Sequence, residues 1–170
     1  MAEKNDSQES TARPTVAQLR NVGLFGAVND EALQFLIERL PIRSLDTGDE
    51  VFVEGDDGRE MFLVLAGEAE VRKSTPSGTG GRIATLGAGD WFGEMSVLDI
   101  QPRSATVRVL SPAQLLCLHA RDLEALYRHD LKAYVLVIQN LARELSRRLR
   151  VADGLMASLA SGLDSDMGPH

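Results

Sequence analysis

Cysteine is almost absent. Cys117 is the single thiol in 170 residues, which excludes an internal disulfide, and the N-terminus has no apolar run of the kind that directs secretion, so a cytoplasmic protein is expected. No stretch approaches the ~20 apolar residues that a spanning helix needs, and a membrane channel is excluded as the whole identity of this chain. Histidine is scarce as well. His119, His129 and His170 share no ligand spacing, so no metal site or metal cofactor is expected. A formal net charge of −7, from 25 acidic and 18 basic residues, leaves no general basic face for nucleic acid or a membrane surface. What remains has ordinary proportions. With 44% hydrophobic residues in a chain of this length, one domain with a sizeable core and two tails is predicted.

Residues 1–14 are polar and lack periodic apolar positions, and are expected to form a disordered N-terminal arm. From Thr15 the pattern turns helical, through Val16, Leu19, Val22 and Phe25. A second helix capped by Asn29 or Asp30 packs Leu33, Phe35, Leu36 and Leu40 and ends at Pro41. Between Ile42 and Ala120, short apolar runs alternate with Gly/Asp turns. That spacing predicts an antiparallel sandwich or barrel, with strands at 42–46, 50–54, 60–66, 68–74, 81–86, 104–110 and 113–119 and an exposed hairpin loop over 75–81. After Ala120 a short helix, 122–128, precedes a long one from Asp130. Leu131, Tyr134, Ile138, Leu141, Leu145, Leu149 and Ala152 recur there every three or four residues. Lys132, Arg143, Glu144, Arg147, Arg148 and Arg150 read as the solvated face of that helix. From Ser158, glycines, small residues and acids predict a disordered tail over 158–170.

One stretch carries chemistry. Residues 90–107 place an acid and a guanidinium nine positions apart, on a turn and a single helical turn inserted between strands. Gly93 allows close backbone approach, and Glu94 can accept hydrogen bonds from a pair of sugar hydroxyls. The helical turn Met95 to Leu98 leaves amide N–H groups free at its start. Arg103, stiffened by Pro102, offers a planar, permanently charged fork suited to phosphate. Catalysis finds no comparable machinery. Cys117 sits in an apolar strand, Ser96 and Ser104 have no evident base, and a cupin-like metal centre would need clustered ligands.

Phe92-Gly93-Glu94-Met95-Ser96-Val97-Leu98 followed by Pro102-Arg103-Ser104-Ala105-Thr106-Val107 resembles the phosphate-binding cassette of the cyclic nucleotide-binding domain family, and the resemblance extends over roughly residues 22–160. It implies a mainly β fold with flanking helices, an antiparallel, jelly-roll-like β-roll over 42–120 with C-terminal lid helices over 121–157, in one domain spanning 15–157. It implies that Glu94 holds the ribose 2′-hydroxyl, that Arg103 pairs with the cyclic phosphate, and that Gly93, Met95, Ser96, Ser104 and Ala105 complete the cradle. Two positions depart from the family pattern. Arg59-Glu60 stands where the kinase-regulatory branch carries an acid that steadies the cassette arginine, and Ala152-Asp153 stands where the catabolite activator branch presents hydroxyls to adenine. Asp153 can accept from the amino group of either purine, so both cAMP and cGMP remain open.

The expected protein is therefore a non-enzymatic receptor for a 3′,5′-cyclic purine mononucleotide, needing no cofactor beyond its ligand. Too few residues follow the lid helix for a helix-turn-helix module, so it is expected to signal through that helix to an unknown effector protein in trans, as a homodimer joined by the helix. The alternative is an interaction protein that uses the same roll with an idle pocket.

Overall fold

The computed structural model describes residues 13–74 and 80–166. Most of the expected arm, the centre of the hairpin loop and the last four residues lie outside them. Arg13 and Pro14, assigned above to the arm, belong to the folded body. Pro14 is buried, and Arg13 Nη1 donates to the carbonyls of Ile37 and Leu40.

Helix α1, Val16–Arg20, starts at a capping box in which Thr15 and Gln18 satisfy each other's amides. A 3₁₀ turn at Gly23–Phe25 leads to α2, Asp30–Arg39, which is capped by the Asn29 side chain accepting from the Ala32 amide at 2.9 Å. The strands then follow as β1 Ile42–Leu45, β2 Glu50–Phe52, β3 Glu60–Lys73, β4 Gly81–Leu86, β5 Trp91–Phe92 and β6 Thr106–His119, with α3, Glu94–Leu98, between the last two. They form one antiparallel sheet in the order β1-β6-β3-β4, with β2 on β6 and β5 on β3. The expected β-roll with flanking helices is the fold.

Two pairs of expected strands are single strands. The segments 60–66 and 68–74 are both part of β3, and 104–110 and 113–119 are both part of β6. The two long strands pair from Glu60 opposite His119 to Arg72 opposite Thr106, with register shifts around Gly67. An extra residue bends a strand without ending it. Gly67 takes φ +85°, and a Cβ there would lie 2.4 Å from the Pro112 carbonyl oxygen and 2.7 Å from Ala113 Cα.

Pleating gives β3 and β6 two buried faces. Met61, Leu63, Leu116 and Leu118 pack under the helices with Leu33, Leu36, Leu126 and Val137. Phe62, Val64, Leu115 and Cys117 fill the inside of the roll with Phe92, Val107 and Val109. Burial on both sides explains why these segments read as continuous apolar runs. It also pushes the Cys117 thiol up to about 11, as expected of a core residue.

The sheet passes directly into α4, Ala120–His129, and α5, Leu131–Asp166. Asp130 joins the helix starts. Its carboxylate accepts from the Ala133 amide at 3.0 Å and from Asn29 Nδ2 at 2.7 Å, so the caps of α2 and α5 are bonded to each other. Those bonds, the amide first, hold the Asp130 carboxyl below its ordinary value, and their stabilising effect is present at neutral pH and fades as pH falls through that lowered value. Along α5, Ala133, Val137 and Leu141 are buried. From Ser146 to Ser158 every residue is exposed. The helix does not stop at Ser158 but runs to Asp166, because isolated glycines such as Gly154 and Gly162 cost only about 1 kcal/mol each against alanine. Replacing Gly67 by alanine combines a left-handed backbone with a backbone clash. The expected loss is about 2–4 kcal/mol of unfolding free energy, measurable by urea denaturation with an unchanged slope.

Candidate functional site

The site grows out of β5. Trp91 and Phe92 pair with Leu63 and Phe62 of β3, and the chain then turns at Gly93, whose φ of +81° starts α3. Only glycine adopts that geometry without strain. A Cβ there would also lie 2.8 Å from Arg103 Nη1. Glu94 and Ser96 are buried, Met95 faces outward, and the loop returns with Arg103 and Ala105 buried and Ser104 exposed. The seven cassette residues expected from the sequence thus form one continuous turn, helix and loop.

Arg103 is 3% exposed, an unusual place for a permanent charge. Its Nη1 donates to the carbonyls of Glu60 at 2.7 Å and Gly93 at 3.2 Å. The guanidinium lies 4.0 Å from the centre of the Phe52 ring and 5.8 Å from that of Phe62, a cation–π arrangement that partly replaces lost hydration. Nε is buried without a hydrogen-bond partner, and Nη2 reaches the Glu60 carboxylate at 4.0 Å. The Nε edge of the fork is unsatisfied but enclosed, not open to solvent. Burial lowers the affinity of the guanidinium for its proton, and Glu60, Asp56 and Glu94 oppose that effect. Gly58 faces the same edge, and a Cβ there would sit 2.3 Å from Nε. Of the Arg59-Glu60 pair, Glu60 contacts the guanidinium, through its carbonyl and, at 4.0 Å, its carboxylate.

Glu94 is partnered from the far end of the chain. Arg148 Nη1 donates to Glu94 Oε1 at 3.1 Å and Nη2 to the Trp91 carbonyl at 3.0 Å. The same guanidinium lies 4.9 Å from the Trp91 ring centre, and Glu144 holds Nε at 3.2 Å. Arg148 is thus not part of a solvated basic face. A sequence signal did exist, since Leu141, Leu145, Arg148 and Ala152 continue the inward stripe at steps of four, three and four, with arginine interrupting it. Gly58 and Phe52 gave no such signal, because they reach Arg103 only through loop packing and strand placement, whereas Glu60 was flagged only by the resemblance. Ala152 and Asp153 lie about one turn beyond Arg148 on the exposed part of α5.

The rim is polar. Lys73 Nζ donates to Glu54 Oε1 and to the Ser104 carbonyl, both at 2.5 Å. With the Ser74 amide, Lys73 draws the Glu54 carboxyl down to about 2. Ser104 Oγ donates to Met95 Sδ at 3.5 Å. Among the described residues no group of three His, Cys, Asp or Glu side chains is arranged to hold a metal ion.

Trp91 is the single tryptophan and reports the seating of α5. Substituting Arg148→Ala uncovers the indole and leaves Glu94 buried without its partner. The expected result is a red-shifted emission and a loss of about 1–2 kcal/mol of stability, the half-exposed arginine limiting the cost, read by fluorescence-monitored unfolding.

Comparison with known proteins places this geometry in context. A family model described as the cyclic nucleotide-binding domain matches residues 42–130. The cyclic AMP receptor protein of Thermus thermophilus is 35% identical over 76% of this chain and 58% of its own length. The crystal structure of the Thermus thermophilus catabolite activator protein superposes with a TM-score of 0.74 at 34% identity, covering 81% of this chain and 63% of that one. A cyclic nucleotide-binding domain from Methylobacillus flagellatus KT superposes with a TM-score of 0.74 at 28% identity, covering 84% and 81%. The chain spans about three fifths of the length of the curated receptor it matches.

Proposed function

This chain belongs to the cyclic nucleotide-binding domain family, and we propose that it binds a 3′,5′-cyclic purine mononucleotide, cAMP before cGMP, and acts by binding rather than by catalysis. The observation that carries this reading is the buried Arg103, whose Nε lacks a protein partner, beside the buried carboxylate of Glu94. A singly charged cyclic phosphate would give Nε the partner it lacks, and the amides at the start of α3 add donors to it. Glu94 keeps Oε2 for a ribose hydroxyl while Oε1 holds Arg148. Ala152 and Asp153, with Ser104, are the candidate base contacts, and Asp153 is the residue through which guanine competes.

Calorimetry with cAMP, cGMP and a cyclic dinucleotide tests the reading directly. Heat is expected with the mononucleotides, tighter for cAMP. Arg103→Ala should remove about 2–5 kcal/mol, about thirtyfold to several thousandfold in Kd. No heat or thermal shift at millimolar cAMP or cGMP would end the receptor reading and leave an interaction protein with an idle pocket.

Signalling then runs through α5 to an effector protein, with a second copy of the helix as its neighbour. The support is geometric. The helix has 36 residues, about 54 Å, and Leu149, Val151, Leu155 and Met156 are each about 60% exposed, an apolar surface that an isologous pair would cover. Arg148 links this segment to Glu94, so a ligand held by Glu94 alters the seating of α5 and, by reciprocity, is bound better when α5 is ordered. Light scattering is expected to give a dimer mass, and hydrogen exchange to give added protection over residues 145–157 with nucleotide. A monomer with unchanged exchange would rule this arrangement out.

A further inference from the structure

Arg103 also touches a chain of ionisable groups that the binding reading does not use. Glu60 sits at the start of β3, directly opposite His119 at the end of β6. Its carbonyl accepts from Arg103 Nη1 at 2.7 Å. Its carboxylate lies 4.0 Å from Arg103 Nη2 and only 2.7 Å from His119 Nε2. The other ring nitrogen, Nδ1, is buried without a hydrogen-bond partner and lies 3.4 Å from Asp122 Oδ2. That same Asp122 oxygen accepts from the His119 amide at 2.9 Å, fixing the first turn of α4. Both ring nitrogens therefore face carboxylates, one from β3 and one from α4. A neutral ring can donate to only one of them and turns a lone pair towards the other.

We propose that Glu60 and His119 are positioning residues for Arg103, and that the charge on His119 sets how much of the Arg103 charge is available to a bound phosphate. The inference rests on the reading of Arg103 as the phosphate ligand. Glu60 acts on Arg103 in two ways: its carbonyl orients the guanidinium and its carboxylate partly neutralises it. An imidazolium at 2.7 Å competes for that carboxylate, and Arg103 then presents a fuller positive charge to the anion. A neutral ring can still bond Glu60 Oε2 but no longer offsets its charge, so the full carboxylate charge acts on Arg103 through Oε1, which weakens the attraction for phosphate. Other ionisable groups act on the cluster: Asp56 and Glu94 on Arg103, and Cys117 with Arg43 beside it. Glu60 also acts on the Cys117 thiol, which burial holds at about 11 and which stays neutral near physiological pH, and Arg43 acts on the same thiol with a charge that does not change in that range. His119 is the histidine of the cluster, and imidazole is the side-chain type whose charge ordinarily changes between about pH 5 and pH 8.

The sign follows from linkage. If the imidazolium strengthens nucleotide binding, nucleotide must strengthen proton binding at His119 by the same factor. The cyclic phosphate itself carries one unchanging charge over this range. The test is calorimetric titration of the full chain with cAMP between about pH 6 and about pH 8, the range in which a histidine changes charge. Wild-type affinity is expected to rise at least about fivefold towards the acid end. His119→Gln and Glu60→Gln should each flatten that dependence. His129→Gln should keep it, because His129 stacks on Phe35 at the opposite end of α4. A second readout requires no substitution: the His119 ring resonance of wild-type protein, followed by NMR against pH, should shift its midpoint upward on saturation with cAMP. A flat wild-type profile, a slope that survives in His119→Gln, or an unmoved midpoint would each overturn the inference while leaving cAMP binding intact. Absence of cAMP binding at every pH would instead remove the receptor reading, and the inference with it.

Discussion

A guanidinium buried inside a β-roll is the constraint around which this structure is arranged. Arginine cannot shed its charge, and a buried ion costs several kcal/mol unless dipoles or counter-charges replace its water. Every neighbour of Arg103 answers part of that cost. Two carbonyls take Nη1, the face of Phe52 covers the plane, Glu60 stands at ion-pair distance from Nη2, and glycines at 58 and 93 leave room that any side chain would fill. What the neighbours do not supply is a partner for Nε. A partner for Nε is what the proposed anion would supply.

The same loop is tied to the most exposed part of the molecule. Glu94 is as buried as Arg103, yet its partner Arg148 comes from a helix whose apolar positions beyond it lie in solvent. Few contacts hold that part of α5 to the roll, so the free energy linking the two is small and open to change by a ligand. A firmly packed core and a weakly seated helix meet at one carboxylate. That arrangement is what a binding module needs if occupancy is to be read from outside.

Most of the fold and half of the site were legible in the sequence. Helix starts were signalled by Thr15, Asn29 and Asp130, whose side chains compete for backbone amides wherever they stand, and the strands by apolar runs between glycine turns. The doubling of strand pairs into β3 and β6 was hidden because Gly67 reads as a terminator, whereas in the sheet it is a bulge across which pairing resumes. The continuation of α5 past Ser158 was hidden for a similar reason, since glycine lowers helix propensity without ending a helix.

The sequence by itself determined the roll, its helices and the contiguous cassette from Gly93 to Ala105, because local backbone preference and hydrophobic period act over a few residues and leave their trace in order along the chain. Only the tertiary structure decided what surrounds the two charged groups. Phe52, Gly58 and Glu60 reach Arg103, His119 reaches Glu60, and Arg148 reaches Glu94 across 54 positions. The physical reason is that a buried charge is satisfied by whatever group the fold brings within about 3–4 Å, and that distance is set by strand register and helix seating rather than by separation along the chain.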